Sequence, residues 1–345
     1  MTTFDEKTSH ATITSVSDHN CIFVLPRAFT VVQAVHLKRE CQQVFQQNPD
    51  LSSIVFDFNQ TTFMDSSGLG ALVGCWKLAR NYRVQLTLRN VSPQIQSILT
   101  LADLTDLFQI HPIAQPESPI VDSQRYQAGM IEQYPIPEPE FITHSSVRSI
   151  TKRMLDVVGA LVGLSITGIL FIPIAVAIKL DNPGPIFFGQ TRCSWMGRRF
   201  KMWKFRSMVS DAEKLKHLIK NEASGAIFKN ANDPRITRVG RFLRKTSLDE
   251  LPQFWNVLKG EMSLVGTRPP TPDEVLQYDI PHWQRLDIKP GMTGEWQVNG
   301  RSSISNFEEI VQLDLRYQEN WSLFYDLRLI LKTIMVIFHK NSGAS

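Results

Sequence analysis

The chain has 345 residues, a net charge of +4 and 43% hydrophobic residues. That length holds two ordinary domains, and the mild charge, with no recognition-helix or stacking motif, argues against nucleic acid as a partner. Cys21, Cys41, Cys75 and Cys193 are too scattered to form a metal-binding or CxxC pair, and they read as reduced thiols of a cytosolic protein.

In chain order, the N-terminus Met1 to Lys7 is polar and lacks a signal-peptide apolar region. Residues 10 to 110 alternate strand and helix patterns. Cys21 to Leu25 reads as a strand, Val31 to Gln46 has helical spacing, and Ser53 to Phe58 and Val84 to Leu88 read as further strands. Between the last two lies Phe63-Met-Asp-Ser-Ser-Gly-Leu-Gly70, then an apolar helix from Ala71 to Ala79. This order resembles a STAS domain, the fold of anti-sigma-factor antagonists. The resemblance implies an α/β domain, here residues 1–110, that binds a regulatory protein or kinase and is phosphorylated at Ser66 or Ser67. A phosphate there would change local charge by about −2 and meet the N–H groups of the helix. A plain Ser/Asp N-cap with no switching is the alternative.

From His111 the chain carries Pro112, Pro116, Pro119, Pro135, Pro137 and Pro139 with acids interleaved. Residues 111–147 therefore read as an extended linker. Charge divides on either side of it. Residues 148–345 hold 28 basic against 19 acidic residues, a net of +9, and the rest holds 9 against 14, a net of −5. A basic C-terminal half suits phosphates or an anionic membrane surface.

Val157 to Ile178 is an uncharged run of about 22 residues, long enough to cross a bilayer. A buried core helix is the alternative. Arg148, Lys152 and Arg153 precede the run, and Lys179, Arg192, Arg198 and Arg199 follow it. Positive charge at both ends favours neither direction of crossing. Asp181-Asn-Pro-Gly-Pro185 then forms a turn. Near the C-terminus, Trp321 to Lys340 interleaves apolar residues with Asp326, Arg328 and Lys332. It suits an amphipathic helix at a membrane interface or a core helix of the domain.

The chemistry centres on Thr246-Ser-Leu-Asp-Glu-Leu-Pro-Gln-Phe-Trp-Asn256. Asp249 and Glu250 are adjacent carboxylates, which repel and need a cation beside them. A carboxylate can act as a nucleophile, and its neighbour can hold Mg²⁺ against phosphate oxygens. Acids in a first helical turn are the simpler reading of the pair alone. Lys201, Lys204 and Arg206 add three cations within six residues, of which 204 and 206 share a strand face and Lys201 does not.

Taken with Lys201-Met-Trp-Lys-Phe-Arg-Ser-Met208, Lys259 to Pro269 and Lys289 to Arg301, this run resembles the bacterial sugar transferases, monotopic polyprenyl-phosphate phosphoglycosyl transferases. The resemblance covers roughly residues 148 to 340. It implies that Asp249 attacks the β-phosphate of a UDP-sugar, expels UMP and carries the phosphosugar covalently. Polyprenyl (undecaprenyl) phosphate then takes it, the first membrane step of exopolysaccharide, capsule or glycoconjugate assembly. Glu250 would help Asp249 hold Mg²⁺. Arg244 and Arg268 fall on phosphate-binding positions, and a guanidinium fork matches phosphate geometry. Lys201, Lys204, Arg206 and Arg301 are further candidate substrate contacts. Pro290 to Gly294 reads as a turn that brings backbone to the nucleotide or as a tight turn only. Asp233-Pro-Arg235 resembles a family signature without a role we can name.

The family's membrane element is a re-entrant helix-break-helix, here about 152–179, breaking near Gly168 or at Pro173. Such a helix keeps both domains on the cytoplasmic side of the inner membrane, where a kinase and nucleotide sugars are found. The expected architecture is therefore an α/β STAS domain followed by a mainly α (α+β) monotopic catalytic domain, open to homodimerisation. A catalytically inactive, membrane-tethered STAS scaffold is the alternative.

Overall fold

The computed structural model describes residues 11–16, 19–113 and 143–338, apart from 213, 216–218, 220, 222–224, 226–229, 231, 301–303 and 305. Arg301 and most of the proline-rich linker thus lie outside the described residues. The chain divides into two compact units, residues 1–142 and 143–345.

The first unit is a five-stranded sheet of order β1-β2-β4-β6-β7. Its strands are β1 (Thr12–Val16), β2 (Asn20–Val24), β4 (Ser53–Asp57), β6 (Gln85–Val91) and β7 (Gln109–Pro112). A short parallel pair joins β3 (Ala28–Phe29) to β5 (Phe63–Met64). Strand β1 pairs antiparallel with β2, and the other sheet neighbours run parallel. Parallel neighbours need crossover helices. These are α1 (Val31–Gln47), α2 (Ser66–Tyr82) and α3 (Pro93–Leu101). Helix α2 begins five residues before the expected Ala71, because the Asp65 side chain accepts the Gly68 N–H at 2.9 Å and starts it there. Gly68 is required, since a Cβ would stand 2.8 Å from the Phe29 carbonyl oxygen.

The second unit opens with α4 (Ser145–Arg148) and α5 (Ile150–Asp181), then the antiparallel hairpin β8 (Phe187–Cys193) and β9 (Arg199–Phe205). Next come α6 (Arg238–Lys245), a 3-10 turn at Leu248–Glu250, α7 (Gln253–Lys259) and β10 (Ser263–Val265). The unit closes with α8 (Pro272–Leu276), β11 (Gly291–Thr293), α9 (Glu295–Gly300), α10 (Phe307–Glu319) and α11 (Leu323–Phe338).

Helix α5 has 32 residues and spans about 48 Å at 1.5 Å per residue. Neither Gly168 nor Pro173 interrupts it; Pro173 sits inside one continuous helix, so the expected break does not appear as a loss of helix. The domain holds α5 along its length. Ala160 packs with Phe200, Met202, Val257 and Met262. Gly163 lets the Phe254 ring approach, for a Cβ there would lie 2.4 Å from it. Ile174 and Ile178 pack with Phe205 and Leu243. The other side presents Ile150, Met154, Val158, Leu161, Ile166, Ile169, Ile172, Val176 and Leu180, all exposed.

Two of the charges expected to flank α5 are internal instead. Lys152 is 5% exposed, and its ammonium donates to Asp326 at 2.6 Å and to the Val265 carbonyl at 3.0 Å. The Tyr317 hydroxyl donates to the same Asp326 carboxylate at 2.6 Å. Arg153 donates to the Val257 and Leu258 carbonyls at 2.8 and 2.6 Å, closing the C-terminal end of α7. In α11, Asp326 and Leu329 are buried while Phe324, Leu331 and Met335 are exposed. Both sides of the helix carry apolar residues: Leu329 joins the core beside the buried acid, and Phe324, Leu331 and Met335 face out.

Candidate active site

Chain geometry first explains how Asp249 is presented. Helix α6 starts where the Thr237 hydroxyl accepts the Gly240 N–H at 3.0 Å and the Asp181 carboxylate accepts the Val239 N–H at 2.9 Å. The last residue of α5 thereby fixes the first turn of α6. Gly240 must lack a side chain, since a Cβ would lie 1.9 Å from the Ser207 carbonyl oxygen. After α6 the chain reverses at Ser247, in the left-handed region at φ 56°. This is a conformation that non-glycine residues seldom adopt. The 3-10 turn that follows carries Asp249, 5% exposed, and Glu250, partly exposed.

Strand β9 supplies the cations. Asn256 of α7 is fully buried and grips the strand. Its Nδ2 donates to the Lys201 carbonyl at 2.8 Å and its Oδ1 accepts the Trp203 N–H at 3.1 Å. This holds Lys204 over the 3-10 turn, where its Nζ meets Glu250 Oε1 at 3.1 Å. Arg244, on the last turn of α6, donates from Nε to Ser207 Oγ at 2.9 Å. Burial pushes its guanidinium down, opposed first by the field of Asp249 and then by that of Asp233. The acidic pair therefore meets one lysine and one arginine, as adjacent carboxylates require.

Beside the pair lies a cavity of about 240 Å³. Lys204, Arg206, Arg192, Arg235, Arg244 and Arg268 line it, and among its described lining residues Glu274 is the one acid. Six cations thus line the wall, and Glu250, Asp233 and Glu274 already pair with Lys204, Arg235 and Arg268. Arg268 grips Glu274 as a fork, at 3.0 and 3.2 Å, and Arg192 stands 3.8 Å from the same carboxylate. Burial raises Glu274, but Arg268 and Arg192 outweigh it and hold the carboxyl below its ordinary value. Burial and the neighbouring Arg268 bring Arg192 down to about 10, still charged at neutral pH. Under Arg268, the buried Arg285 pairs with Asp314 at 2.6 Å and supports the Tyr278 hydroxyl.

The sequence candidates thus separate. Asp249, Glu250, Lys204 and Arg244 converge, and Arg268 joins them on the cavity wall. Lys201 turns away: its Nζ lies 5.0 Å from the centre of the Trp203 ring and its stem covers Gly189. Arg206 lines the cavity, but its guanidinium already serves the turn after α5. It donates to Asn182 Oδ1 at 3.2 Å, Ser210 Oγ at 2.7 Å and the Pro183 carbonyl at 3.1 Å. Asp233-Pro-Arg235 gains a role, for the Asp233 carboxylate holds its own Arg235 at 2.6 Å. Pro290 to Gly294 is not a free turn, because β11 pairs in parallel with β10. Its glycines allow that approach, since a Cβ on Gly291 would lie 2.1 Å from the Gly266 nitrogen. Asn256, Ser207 and Glu274 were missed; all three stand inside or beside the quoted motifs, but only their contacts give them roles.

Among the described residues no three His, Cys, Asp or Glu side chains cluster to hold a metal. Two adjacent carboxylates still suit Mg²⁺, which keeps several waters and borrows phosphate oxygens from a substrate.

In the first unit, Ser66 and Ser67 are both fully buried, and the Ser67 hydroxyl has no hydrogen-bond partner.

Comparison with known proteins fits both units. A model of the bacterial sugar transferase family matches residues 147–340, and one of the STAS domain matches residues 11–115. The galactosyl transferase CpsE of Streptococcus agalactiae is 52% identical over 190 residues, 54% of this chain and 42% of that protein. The undecaprenyl-phosphate galactose phosphotransferase of Salmonella typhimurium is 43% identical, over 56% of this chain and 41% of that one. The exopolysaccharide production protein ExoY of Rhizobium meliloti is 40% identical, over 55% of this chain and 87% of that one. The chain thus spans less than half the length of the first two relatives.

Proposed function

The chain belongs to the bacterial sugar transferase family, and from that membership we propose that it moves a sugar-1-phosphate from a UDP-sugar to polyprenyl phosphate. The observation that carries this reading is the meeting of Asp249 and Glu250 with Lys204 and Arg244 beside a cavity of six cations.

In the first step Asp249 attacks the β-phosphorus. An Oδ–P bond forms, the bond to the bridging oxygen breaks, and UMP leaves with that oxygen and its electron pair. In the second step a phosphate oxygen of the lipid attacks the same phosphorus. The aspartate leaves as carboxylate, and a polyprenyl-diphosphate sugar departs. A carboxylate attacks a charged diphosphate only where cations neutralise that charge. Arg244, whose Nε alone is bound to Ser207, turns its guanidinium to phosphate oxygens, while Arg268, its fork held by Glu274, adds positive charge to the wall. Lys204 holds Glu250 in place and adds a third positive charge. Asp249 and Glu250 would hold Mg²⁺ when it is bound, and it would neutralise charge on the diphosphate.

We place the protein on the inner membrane with both units in the cytoplasm. Supporting this, α5 is bound to its own domain at both ends, by Lys152 to Asp326 and by Asp181 to Val239. A simple crossing would carry one end away from that domain. The STAS unit serves as a regulatory module, with Ser66 or Ser67 as the site a kinase would modify. Since both are buried, modification requires the start of α2 to open.

The test is UMP release from UDP-sugars by detergent-solubilised protein with polyprenyl phosphate and Mg²⁺. Wild type should release UMP with at least one sugar, and Asp249→Asn should lose activity by at least about 10³-fold. Full activity in Asp249→Asn would overturn the assignment of the nucleophile.

A further inference from the structure

The cavity is cationic on only part of its wall. Phe187 and Phe188, at the start of β8, form an apolar section of its lining and are 40% and 38% exposed. Successive strand residues face opposite ways, so the two rings serve different sides of the rim. Phe188 pairs across the hairpin with Lys204, the residue that holds Glu250. Phe187 stacks on Phe171 of α5 at 5.8 Å and on Phe205 at 5.4 Å. Phe171 packs with Ile174 and Ile178 on the side of α5 that meets the domain. Aromatic contacts therefore join this apolar helix, through Phe171 and Phe187, to the mouth of the cavity.

That arrangement fits an amphiphile with a phosphate head and a hydrocarbon tail. The head complements the cavity's charge, and the tail leaves over Phe187 towards α5. A nucleotide sugar can stack its base on one ring but has no hydrocarbon tail to continue from the cavity along α5. We propose that Phe187 and Phe188 form the acceptor subsite, covering the isoprene units next to the phosphate of polyprenyl phosphate. This rests on the transferase reading above and assigns its second substrate a place.

Phe188 carries the test, because its ring lies outside the stack that packs α5. The full chain in nanodiscs would be assayed for KM towards polyprenyl phosphate and towards the UDP-sugar. Phe188→Ala should raise the acceptor KM about tenfold, the cost of losing one aromatic contact, and leave the donor KM within about twofold. Phe188→Leu should recover most of the loss. A short alkyl phosphate, lacking the isoprene units, should show no difference between wild type and Phe188→Ala. If both KM values stay unchanged, or rise together, the subsite is wrong while the transferase reading stands. A wild type that transfers nothing to any acceptor would sink both.

Discussion

Asp249 is buried, stands after a left-handed serine and shares a field with Arg244. Its chemistry was legible because two adjacent acids need cations whatever the fold. The directions of the cations around it were legible in part. Strand alternation set Lys201 apart from Lys204 and Arg206, and Lys201 does lie over Trp203, but the sequence did not show that the Arg206 guanidinium serves the turn after α5. Asn256 is the clearest omission: an amide at the end of a motif gains meaning only when the backbone it bonds belongs to another element. Asn256→Ala would strand the Trp203 N–H and the Lys201 carbonyl in a buried setting, at about 3 kcal/mol. A clearly lowered melting temperature, with activity reduced through displaced Lys204, is the expected outcome. Asp233 gives a pH signature. The hydrogen bond from Arg235 is the largest influence and holds its carboxyl below the ordinary 3.8. A depressed carboxyl stabilises the fold above its unfolded value, and that stability is lost as pH falls through the lower folded value. Asp233→Asn should therefore cost about 3 kcal/mol near neutral pH, where it leaves Arg235 unpaired. The difference in melting temperature from wild type should close as pH drops below about 4. A gap that persists unchanged at low pH would show that the pair does not act through charge.

At the scale of elements, period and length exposed α5 in sequence, and alternation exposed the strands of the first unit. What sequence could not show is which side of α5 is covered. An apolar run looks the same whether it faces lipid or protein, so Lys152 read as a flanking charge when it is the buried partner of Asp326. The glycines of β11 read as turn formers for a related reason: close backbone approach and a tight turn both call for glycine. The Lys152–Asp326 pair joins α5 to α11 and offers a separable test. Removing one partner leaves an uncompensated buried charge, so Lys152→Met should destabilise by about 3–5 kcal/mol. Lys152→Met with Asp326→Leu removes both charges, and denaturant unfolding should show most of that loss recovered. If the double variant is as unstable as the sum of its parts, the pair's contribution lies in shape rather than charge.

For the whole molecule, the arrangement of α5 on its domain bears on how it meets a membrane. A helix of about 48 Å is longer than the roughly 30 Å hydrocarbon core, so length alone permits a crossing. Contacts argue otherwise. The first turn is held by Asp326, the middle by Phe254 and Leu264, and the last turn by Val239 and Leu243. All belong to the unit that carries Asp249. For α5 to cross, one of these sets would have to separate, exposing the Lys152–Asp326 pair or the packing of Ile174 and Ile178. A helix seated on the membrane through its open stripe keeps every contact and places its apolar residues in lipid. The exposed stripe of α11, with Phe324, Leu331 and Met335, adds a second such surface. The two ends of α5 should then lie on the same side of the bilayer. Arg148 and Lys179 are exposed, near opposite ends of the helix. Single cysteines at these positions should both react with a membrane-impermeant maleimide added from the cytoplasmic face of inverted vesicles, and neither should react from the periplasmic face of spheroplasts. Labelling of one position from each face would establish a crossing and require the domain contacts of α5 to be rearranged in the membrane.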